Sequence, residues 1–154
     1  MKNILLTRID DRLLHGQVIV SWIPYLKADE ILIVDDEYSK DEFMSTLIKE
    51  AAPDNVKVDV LSVEDSRNYL NLNDEGSRLF ILSRYIENVD KLIKLGIKIS
   101  KLNIGGISNS HNRTKFKNAI HLSENELNML KRMSEKGIRV EVQMLPNDKA
   151  IIIE

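Results

Sequence analysis

Short apolar runs alternate with amphipathic segments along the whole chain. The runs are rich in Ile, Val and Leu and contain few alternating polar residues, which is typical of strands buried on both faces of a sheet. They are Ile4–Leu6, Ile31–Val34, Val56–Leu61, Leu79–Leu82, Leu102–Ile104 and Ile138–Val142. Repeated strand–helix–strand order favours parallel pairing. The pattern therefore predicts an α/β fold, with a single open, mostly parallel twisted sheet and helices on both faces.

Helix boundaries are also marked in the sequence. Ser39–Glu42 and Ser123–Glu126 are capping-box patterns, in which a serine begins the helix and a glutamate completes the cap. Gly96 and Gly137 stand where a helix should end, each directly before an apolar run. Pro24 lies within the pattern of the first helix, so it predicts a kink or the end of that helix.

Two stretches are less regular. Gly105–Asn118 is polar and long, and it predicts a functional loop or a short hairpin. The C-terminal Ile151–Glu154 fits either one more strand or an ordered tail. The pattern leaves both possibilities open.

Length and composition narrow the setting. We expect the 154 residues to form one domain, residues 1–154. The 22 basic and 24 acidic residues give a net charge of -2, which offers no positive field to a nucleic acid or an anionic membrane. The absence of cysteine excludes disulfides and thiol nucleophiles. Because no apolar run is long enough to span a bilayer, we expect a cytoplasmic protein without membrane insertion.

The candidate chemistry lies in Arg8–Val18, RIDDRLLHGQV, between the first apolar run and the first helix pattern. Ligands of parallel sheets bind beyond the carboxyl ends of the strands, where such a loop lies. His15 would stand at the start of the helix, where free N–H groups of Gly16 and Gln17 could bind an anion. The positive end of the helix dipole disfavours an imidazolium, which favours a neutral, nucleophilic ring.

Two arginines and two aspartates accompany this histidine. A transferring phosphoryl group spreads negative charge over its oxygens, and the planar guanidinium groups of Arg8 and Arg12 suit that charge. Asp10 and Asp11 would orient the arginines, or accept a hydrogen bond that fixes the tautomer of His15. These residues predict a histidine that accepts and donates a phosphoryl group. Charge chemistry alone also allows an ordinary loop with a solvated histidine, aspartate helix caps and surface salt bridges.

Two other phosphate chemistries match parts of the sequence. The paired acids of Ile31–Glu37, ILIVDDE, are similar to the start of a receiver domain, although the later strands offer no aspartate acceptor. A histidine phosphatase has arginine directly before its catalytic histidine, whereas Leu14 precedes His15 here. It also needs a second histidine, for which His121 is the strand candidate, while His111 should be a solvated loop residue. With three histidines and no cysteine, we expect no metal site.

A nucleotide-binding loop is a further alternative. Asn103–Ile107, NIGGI, has two glycines after a predicted strand, but the chain contains no Gly-x-x-x-x-Gly-Lys run. We interpret Gly105 and Gly106 as a tight turn or a close approach of two backbone segments.

The string RIDDRLLHGQV closely resembles the phosphohistidine signature of the IIB component of the bacterial sugar phosphotransferase system, mannose/fructose/sorbose family. Three longer stretches are similar to later parts of that family. They are Ile31–Pro53, which resembles its second strand and helix, Lys91–Ile107, which resembles a stretch ending in an Asn-Val-Gly-Gly-Met type motif, and Ala119–Asp148, which resembles its final helix and strand. The opening motif is the specific part of this resemblance.

The resemblance implies that a phosphorylated IIA protein passes its phosphoryl group to His15, which delivers it to a sugar carried through the membrane by IIC and IID partners. Arg12 would stabilise the phosphoryl group in transfer, supported by Arg8 and Asp10. No nucleotide or metal cofactor is expected, and the family would place the phosphoryl group on the δ nitrogen. Since two partners must reach His15 in turn, we expect the residue to be exposed.

The sequence departs from the family pattern in one region. Ile104 and Ile107 stand where the glycine motif has Val and Met, and Asn112–Thr114 stands where Gly-Lys-Thr is usual. The resemblance therefore assigns no role in sugar preference to this loop.

Overall fold

The computed structural model describes residues 1–154, with a seven-stranded sheet at its centre. The strands of this sheet and of a separate two-stranded hairpin are β1 (Ile4–Asp10), β2 (Glu30–Val34), β3 (Lys57–Leu61), β4 (Leu79–Ser83), β5 (Lys101–Gly106), β6 (Thr114–Lys117), β7 (Ile120–Leu122), β8 (Arg139–Val142) and β9 (Ile151–Ile153). The order in the large sheet is β3-β2-β4-β1-β5-β8-β9, and only the β8–β9 pair is antiparallel. Every predicted apolar run overlaps a strand. The predicted open, mostly parallel α/β fold is confirmed.

Helices cover both faces of this sheet. They are a π-helical turn (Val18–Trp22) that continues into α1 (Ile23–Leu26), then α2 (Glu42–Glu50), α3 (Val63–Leu70), α4 (Ile86–Lys94) and α5 (Glu124–Glu135). In β2, Ile31 and Ile33 pack in an apolar cluster with residues of α1 and α2. Leu32 and Val34 point to the opposite face and pack with residues of α3, α4 and α5. Burial of the central strands on both faces explains their unbroken apolar sequence.

The two capping-box predictions have different outcomes. Ser123 begins α5, and its hydroxyl accepts the N–H of Glu126 while the carboxylate of Glu126 accepts the N–H of Ser123. The Ser39 prediction is wrong, because Asp41 begins α2 and its carboxylate accepts the N–H of Met44 at 3.0 Å. An aspartate two residues after Ser39 is an equally good N-cap, and the chain starts the helix there.

The structure also shows how two helices end and what the two irregular stretches form. Gly96 and Gly137 follow α4 and α5 with positive φ angles of 96° and 90°, as expected where a helix ends in the left-handed region. The polar stretch contains the β6 strand of the hairpin, and Ile151–Ile153 forms the edge strand β9.

The first helix is irregular around Pro24. The N–H of Ile23 bonds to the carbonyl of Val18, five residues back, in a π-helical turn directly before the proline. The helix then ends at Leu26, and Lys27 takes a left-handed conformation. Because proline has no N–H to donate to the preceding turn, the helix widens locally at that point. None of the helices has the length and apolar composition needed to cross a lipid bilayer.

Candidate functional site

The candidate loop begins where β1 ends, between its neighbours β4 and β5 at the carboxyl edge of the sheet. The N–H of Asp11 bonds to the carbonyl of Gly106 at 3.1 Å, and its carboxylate accepts the N–H of Ser108 at 2.7 Å. Leu13 then reverses the chain with a left-handed φ of 54°, a costly conformation for leucine. Its side chain is buried in the apolar cluster of α1 and α2. The loop is thus held at both ends by contacts that the sequence motif alone does not reveal.

The carboxylate of Asp10 is the centre of the site. It is fully buried, and its Oδ2 lies 3.0 Å from Nε2 of His15. The same carboxylate accepts hydrogen bonds from Nε and Nη2 of Arg12 at 3.1 and 3.2 Å. The sequence predicted that Asp10 and Asp11 orient the arginines or accept a hydrogen bond from His15, and Asp10 makes contacts of both kinds.

The pKa of Asp10 reflects these contacts. Burial by itself raises the pKa, but the hydrogen bonds from Arg12 and His15 outweigh it and hold the pKa of Asp10 below its ordinary value of 3.8. An ionised carboxylate can only accept hydrogen bonds, so Nε2 of a neutral His15 ring carries the proton. The other nitrogen, Nδ1, then has a free lone pair.

His15 lies at the junction of loop and helix. The N–H of Ile19 bonds to the carbonyl of His15 at 2.9 Å, which ties His15 to the first turn of this helix. The backbone N–H groups of Gly16 and Gln17 have no hydrogen-bond partner in the protein, and both residues are exposed. The His15 side chain is 19% exposed, less than we expected for a residue that two partners must reach. Its contact with Asp10 covers the Nε2 edge of the ring.

Arg12 and Arg8 have different environments. The Arg12 side chain is 45% exposed, and its Nη1 forms no hydrogen bond within the protein. Arg8 is only 1% exposed, and its guanidinium stacks on the Trp22 ring at 4.6 Å. The expectation that Arg8 shares phosphoryl binding with Arg12 is therefore corrected, because the buried guanidinium does not reach the surface of the site.

Both terminal nitrogens of Arg8 donate inside the protein, whereas its buried Nε has no hydrogen-bond partner. Nη1 bonds to the side chain of Asn103 and to the carbonyl of Gln143, and Nη2 bonds to the carbonyl of Met144 at 3.1 Å. Nη2 also lies 3.5 Å from Oδ2 of Asp10. Burial lowers the pKa of Arg8 to about 10, so the guanidinium stays charged at neutral pH. Arg8 supports Asp10 from beneath the site.

The two glycines at the end of β5 make room for these arginines. A methyl group on Gly105 would overlap the guanidinium of Arg8. A methyl group on Gly106 would lie 3.2 Å from Oδ1 of Asp10 and 3.3 Å from Nη2 of Arg12. The prediction of a tight turn or a close backbone approach at these glycines is corrected, because side chains of β1 and the loop fill the space beside them. The site contacts of Asn103 were not predicted, although the motif marks this position.

The paired acids after β2 have structural contacts. The carboxylate of Asp35 accepts the N–H groups of Glu37 and Tyr38, and pairs with Nε of Arg84 at 2.6 Å. Asp36 accepts the N–H of Val63 at 2.9 Å. These carboxylates therefore act as loop and helix caps, which argues against the receiver interpretation.

The other histidines lie apart from the site. His121 is in β7, where its Nδ1 lies 3.1 Å from the carbonyl of Ile107. His111 is an exposed loop residue. Neither forms a hydrogen bond with His15 or its partners, so the geometry offers no second histidine for a phosphatase mechanism.

Comparison with known proteins identifies the family. A family model, the phosphotransferase system (PTS) sorbose subfamily IIB component, matches residues 4–154. The chain belongs to this family. The fructose-specific EIIB component of Bacillus subtilis (strain 168) is 34% identical over 149 residues, which cover 96% of this chain and 91% of that protein. The mannose-specific EIIAB component of Escherichia coli (strain K12) is 33% identical over 144 residues, which cover 93% of this chain and 45% of that protein.

Solved IIB structures have the same fold. The N-acetylgalactosamine-specific IIB component 1 from Escherichia coli gives a TM-score of 0.93 at 28% identity, covering 99% of this chain and 100% of that one. For manxB from Thermoanaerobacter tengcongensis the TM-score is 0.89 at 34% identity, covering 99% of this chain and 93% of that one. As a IIB component of the sorbose/mannose family, the chain is part of the phosphotransferase systems that transport sugars.

Proposed function

We propose that residues 1–154 act as a single IIB domain whose His15 accepts a phosphoryl group from a phosphorylated IIA protein and transfers it to a sugar bound by membrane IIC and IID partners. The contact between Nε2 of His15 and the buried carboxylate of Asp10, at 3.0 Å, carries this proposal. In the neutral ring this contact fixes the proton on Nε2 and leaves the lone pair of Nδ1 free, at the edge where parallel sheets bind ligands.

The attacking atom is Nδ1. Because Nε2 donates to Asp10, the free lone pair of the neutral ring is on Nδ1. Nδ1 attacks the phosphorus of the donor's phosphohistidine as the bond from phosphorus to the donor nitrogen breaks. The ring of His15 then carries a positive charge with its Nε2 proton retained, and the carboxylate of Asp10 stabilises that charge.

The surroundings of His15 suit a phosphoryl group. Nη1 of Arg12 is free to bind an equatorial oxygen while Nε and Nη2 stay on Asp10. The free N–H groups of Gly16 and Gln17 provide further donors at the helix start. With Arg8 and Arg12 against the single carboxylate of Asp10, the cluster has an excess positive charge before the dianionic group arrives.

The second transfer goes to a sugar. A sugar hydroxyl attacks phosphorus, the bond to Nδ1 breaks, the hydroxyl proton is released to solvent, and His15 returns to its neutral form. The names of the relatives specify different sugars, among them fructose, mannose and sorbose. The proposal therefore assigns the substrate class as sugar.

The partners follow from the family. The mannose-specific relative is named EIIAB, which indicates that A and B components occur in one chain in that protein. Each partner must leave after transfer, so we expect small, weak interfaces around His15. The absence of a cofactor requirement and a cytoplasmic location remain predictions.

The test uses the whole chain and its histidine variants. After incubation with phosphoenolpyruvate, the general phosphotransferase proteins and a matched IIA, intact mass should show one added phosphoryl group that depends on IIA. His15→Ala should remain folded and take up no phosphoryl group. His121→Ala should be labelled like the parent protein, because its ring contacts the carbonyl of Ile107 and not the His15 site. Samples are kept neutral or alkaline, since phosphohistidine is labile in acid.

Three outcomes would contradict the proposal. Unchanged labelling of folded His15→Ala would move the acceptor elsewhere. A label on an aspartate would favour a receiver, and release of inorganic phosphate without a sugar acceptor would favour a phosphatase.

A further inference from the structure

A row of three polar side chains crosses the sheet beside the site. In the strand register, Arg8 of β1 is opposite Asn103 of β5, and Asn103 is opposite Glu141 of β8. All three residues are no more than 1% exposed. Apart from Thr7, their immediate neighbours along the strands are apolar, so these strands place a polar row where aliphatic side chains would otherwise pack.

The members of this row bond to one another in sequence. Nη1 of Arg8 donates to Oδ1 of Asn103, and Nδ2 of Asn103 donates to Oε1 of Glu141 at 3.0 Å. Nδ2 also donates to Oε1 of Gln143 at 3.0 Å. Because both amide hydrogens meet oxygen acceptors, the Asn103 amide has one orientation, with its oxygen towards Arg8.

The row reaches the candidate nucleophile at one end. Nη2 of Arg8 lies 3.5 Å from Oδ2 of Asp10, and this same oxygen lies 3.0 Å from Nε2 of His15. At the other end, Lys101 and Arg139 approach the Glu141 carboxylate at 3.1 and 3.0 Å. A continuous series of hydrogen bonds and ion pairs thus links β8 to the imidazole.

We propose that Asn103 and Glu141 are positioning residues for phosphoryl transfer at His15. They fix the plane of the Arg8 guanidinium, which directs the Asp10 carboxylate at Nε2 and so keeps Nδ1 unprotonated. This inference rests on the proposed function, but it predicts a property of the unphosphorylated protein that is measurable without any transfer.

The stability of the fold alone does not require this arrangement. Burying a guanidinium–carboxylate network carries a large desolvation penalty, and apolar side chains of similar volume are often at least as stabilising. A single tautomer at His15, in contrast, depends on where the Asp10 carboxylate points. A comparable case is the metal site, where a hydrogen-bond partner fixes the tautomer and orientation of a metal-binding histidine. Loss of that partner costs about 10- to 100-fold in metal affinity or activity.

The test combines two variants with a matched control. Asn103→Leu removes the acceptor for Arg8, and Asn103→Asp places a carboxylate there that competes with Asp10 for the guanidinium. Asn88→Leu is the control, because Asn88 is also buried and donates to the carbonyl of Val34 and the hydroxyl of Ser83, outside the row. Glu141→Gln keeps an oxygen acceptor for Asn103 but removes the charge that pairs with Lys101 and Arg139, so it tests the other end of the row.

Two readouts are compared. Nitrogen-15 NMR of the neutral His15 ring reports the tautomer, and the rate of label transfer from phosphorylated IIA reports function. We expect the parent protein and Asn88→Leu to hold the proton on Nε2, and Glu141→Gln to give an effect between theirs and that of the Asn103 variants. The two Asn103 variants should give a mixture of tautomers and transfer about 10- to 100-fold more slowly.

Each outcome is decisive. A folded Asn103 variant with an unchanged tautomer would overturn the positioning role, and so would equal effects from Asn88→Leu. Asn103→Asp is nearly isosteric, so it keeps the test valid if Asn103→Leu does not fold. If the tautomer shifts in the Asn103 variants while the parent protein accepts no phosphoryl group, the positioning role stands and the proposed function fails.

Discussion

At the residue scale, the Asp10 carboxylate contacts the side chains of His15 and Arg12 and lies 3.5 Å from Arg8. It fixes the imidazole tautomer, and it turns the Arg12 guanidinium so that one nitrogen stays free. Arg12 and Arg8 therefore have different proposed roles. In the proposed mechanism the exposed Arg12 binds the transferred group, whereas the buried Arg8 supports the carboxylate.

Arg12→Lys tests the planar fork of the guanidinium. An ammonium cannot keep two bonds on Asp10 and also offer a directed donor to a phosphoryl oxygen. Losing one charge-assisted hydrogen bond of about 1.5–3 kcal/mol should slow transfer roughly 10- to 100-fold. The rate of phosphoryl uptake from phosphorylated IIA measures this effect.

The control is Arg67→Lys, which makes the same exchange at an arginine of α3 paired with Glu64. It should transfer at the parental rate. If Arg12→Lys also does so, Arg12 has no part in the mechanism.

The local part of this site is predictable from the sequence because its members are close together. Asp10, Arg12 and His15 lie within six residues, so any tight loop brings them together. Asn103 is 95 residues from Arg8 along the chain, and only the strand order makes them neighbours. No local pattern encodes that order, which is why the row across the sheet was not predicted.

At the scale of elements, the site depends on how closely β1 and β5 approach. β5 ends in two glycines, and the Arg8 and Asp10 side chains occupy the space that side chains at these positions would fill.

The residues at which helices start were harder to predict from the sequence than the strands. Asp41 and Ser39 are both good caps, but α2 begins at Asp41, and Ser39 lies in a short 3-10 turn (Tyr38–Lys40) before it.

Gly105→Ala tests this close approach. The added methyl group would overlap the Arg8 guanidinium, and overpacking of this kind typically costs about 1–3 kcal/mol in the free energy of unfolding. We also expect slower phosphoryl uptake, because displaced Arg8 no longer supports Asp10. Denaturant unfolding and the transfer assay measure the two effects.

Gly76→Ala is the matched control, since a methyl group there meets only the Asp74 carboxylate, at 3.9 Å. This variant should keep parental stability and activity. Parental stability in Gly105→Ala would contradict the close packing described between β1 and β5.

At the scale of the whole molecule, the alternation of apolar runs and helices was sufficient to predict the parallel sheet and its two helix layers. The strand order and the antiparallel β9 required the structure, because several orders satisfy the same pattern.

Buried carboxylates stabilised by cations are distributed over the molecule. The pKa values of Asp10, Glu30, Glu126 and Glu141 are all lowered, since hydrogen bonds and ion pairs outweigh burial, which raises them.

These lowered pKa values predict acid sensitivity. Each carboxylate binds protons more weakly in the folded protein than in the unfolded chain, so its stabilising effect is complete above the ordinary values of 3.8 to 4.5. The free energy of unfolding should therefore be steady near neutral pH and fall as the pH drops below about 4.5. Denaturant unfolding across this range measures the change.

Glu126→Gln should weaken this acid dependence, because it removes a carboxylate whose pKa is lowered by Arg113 despite burial. Glu124→Gln is the control on the same helix, at an exposed residue that forms no ion pair. A parental acid dependence in Glu126→Gln would contradict this assignment.

The central claim is that Asp10 holds Nε2 of His15 and leaves Nδ1 to take the phosphoryl group. The most direct test is NMR of the phosphorylated, nitrogen-15-labelled protein, in which coupling to phosphorus-31 identifies the nitrogen that is bonded. The account predicts a single phosphohistidine at His15 with phosphorus on Nδ1 and a proton on Nε2. Phosphorus on Nε2, or on any other residue, would contradict it.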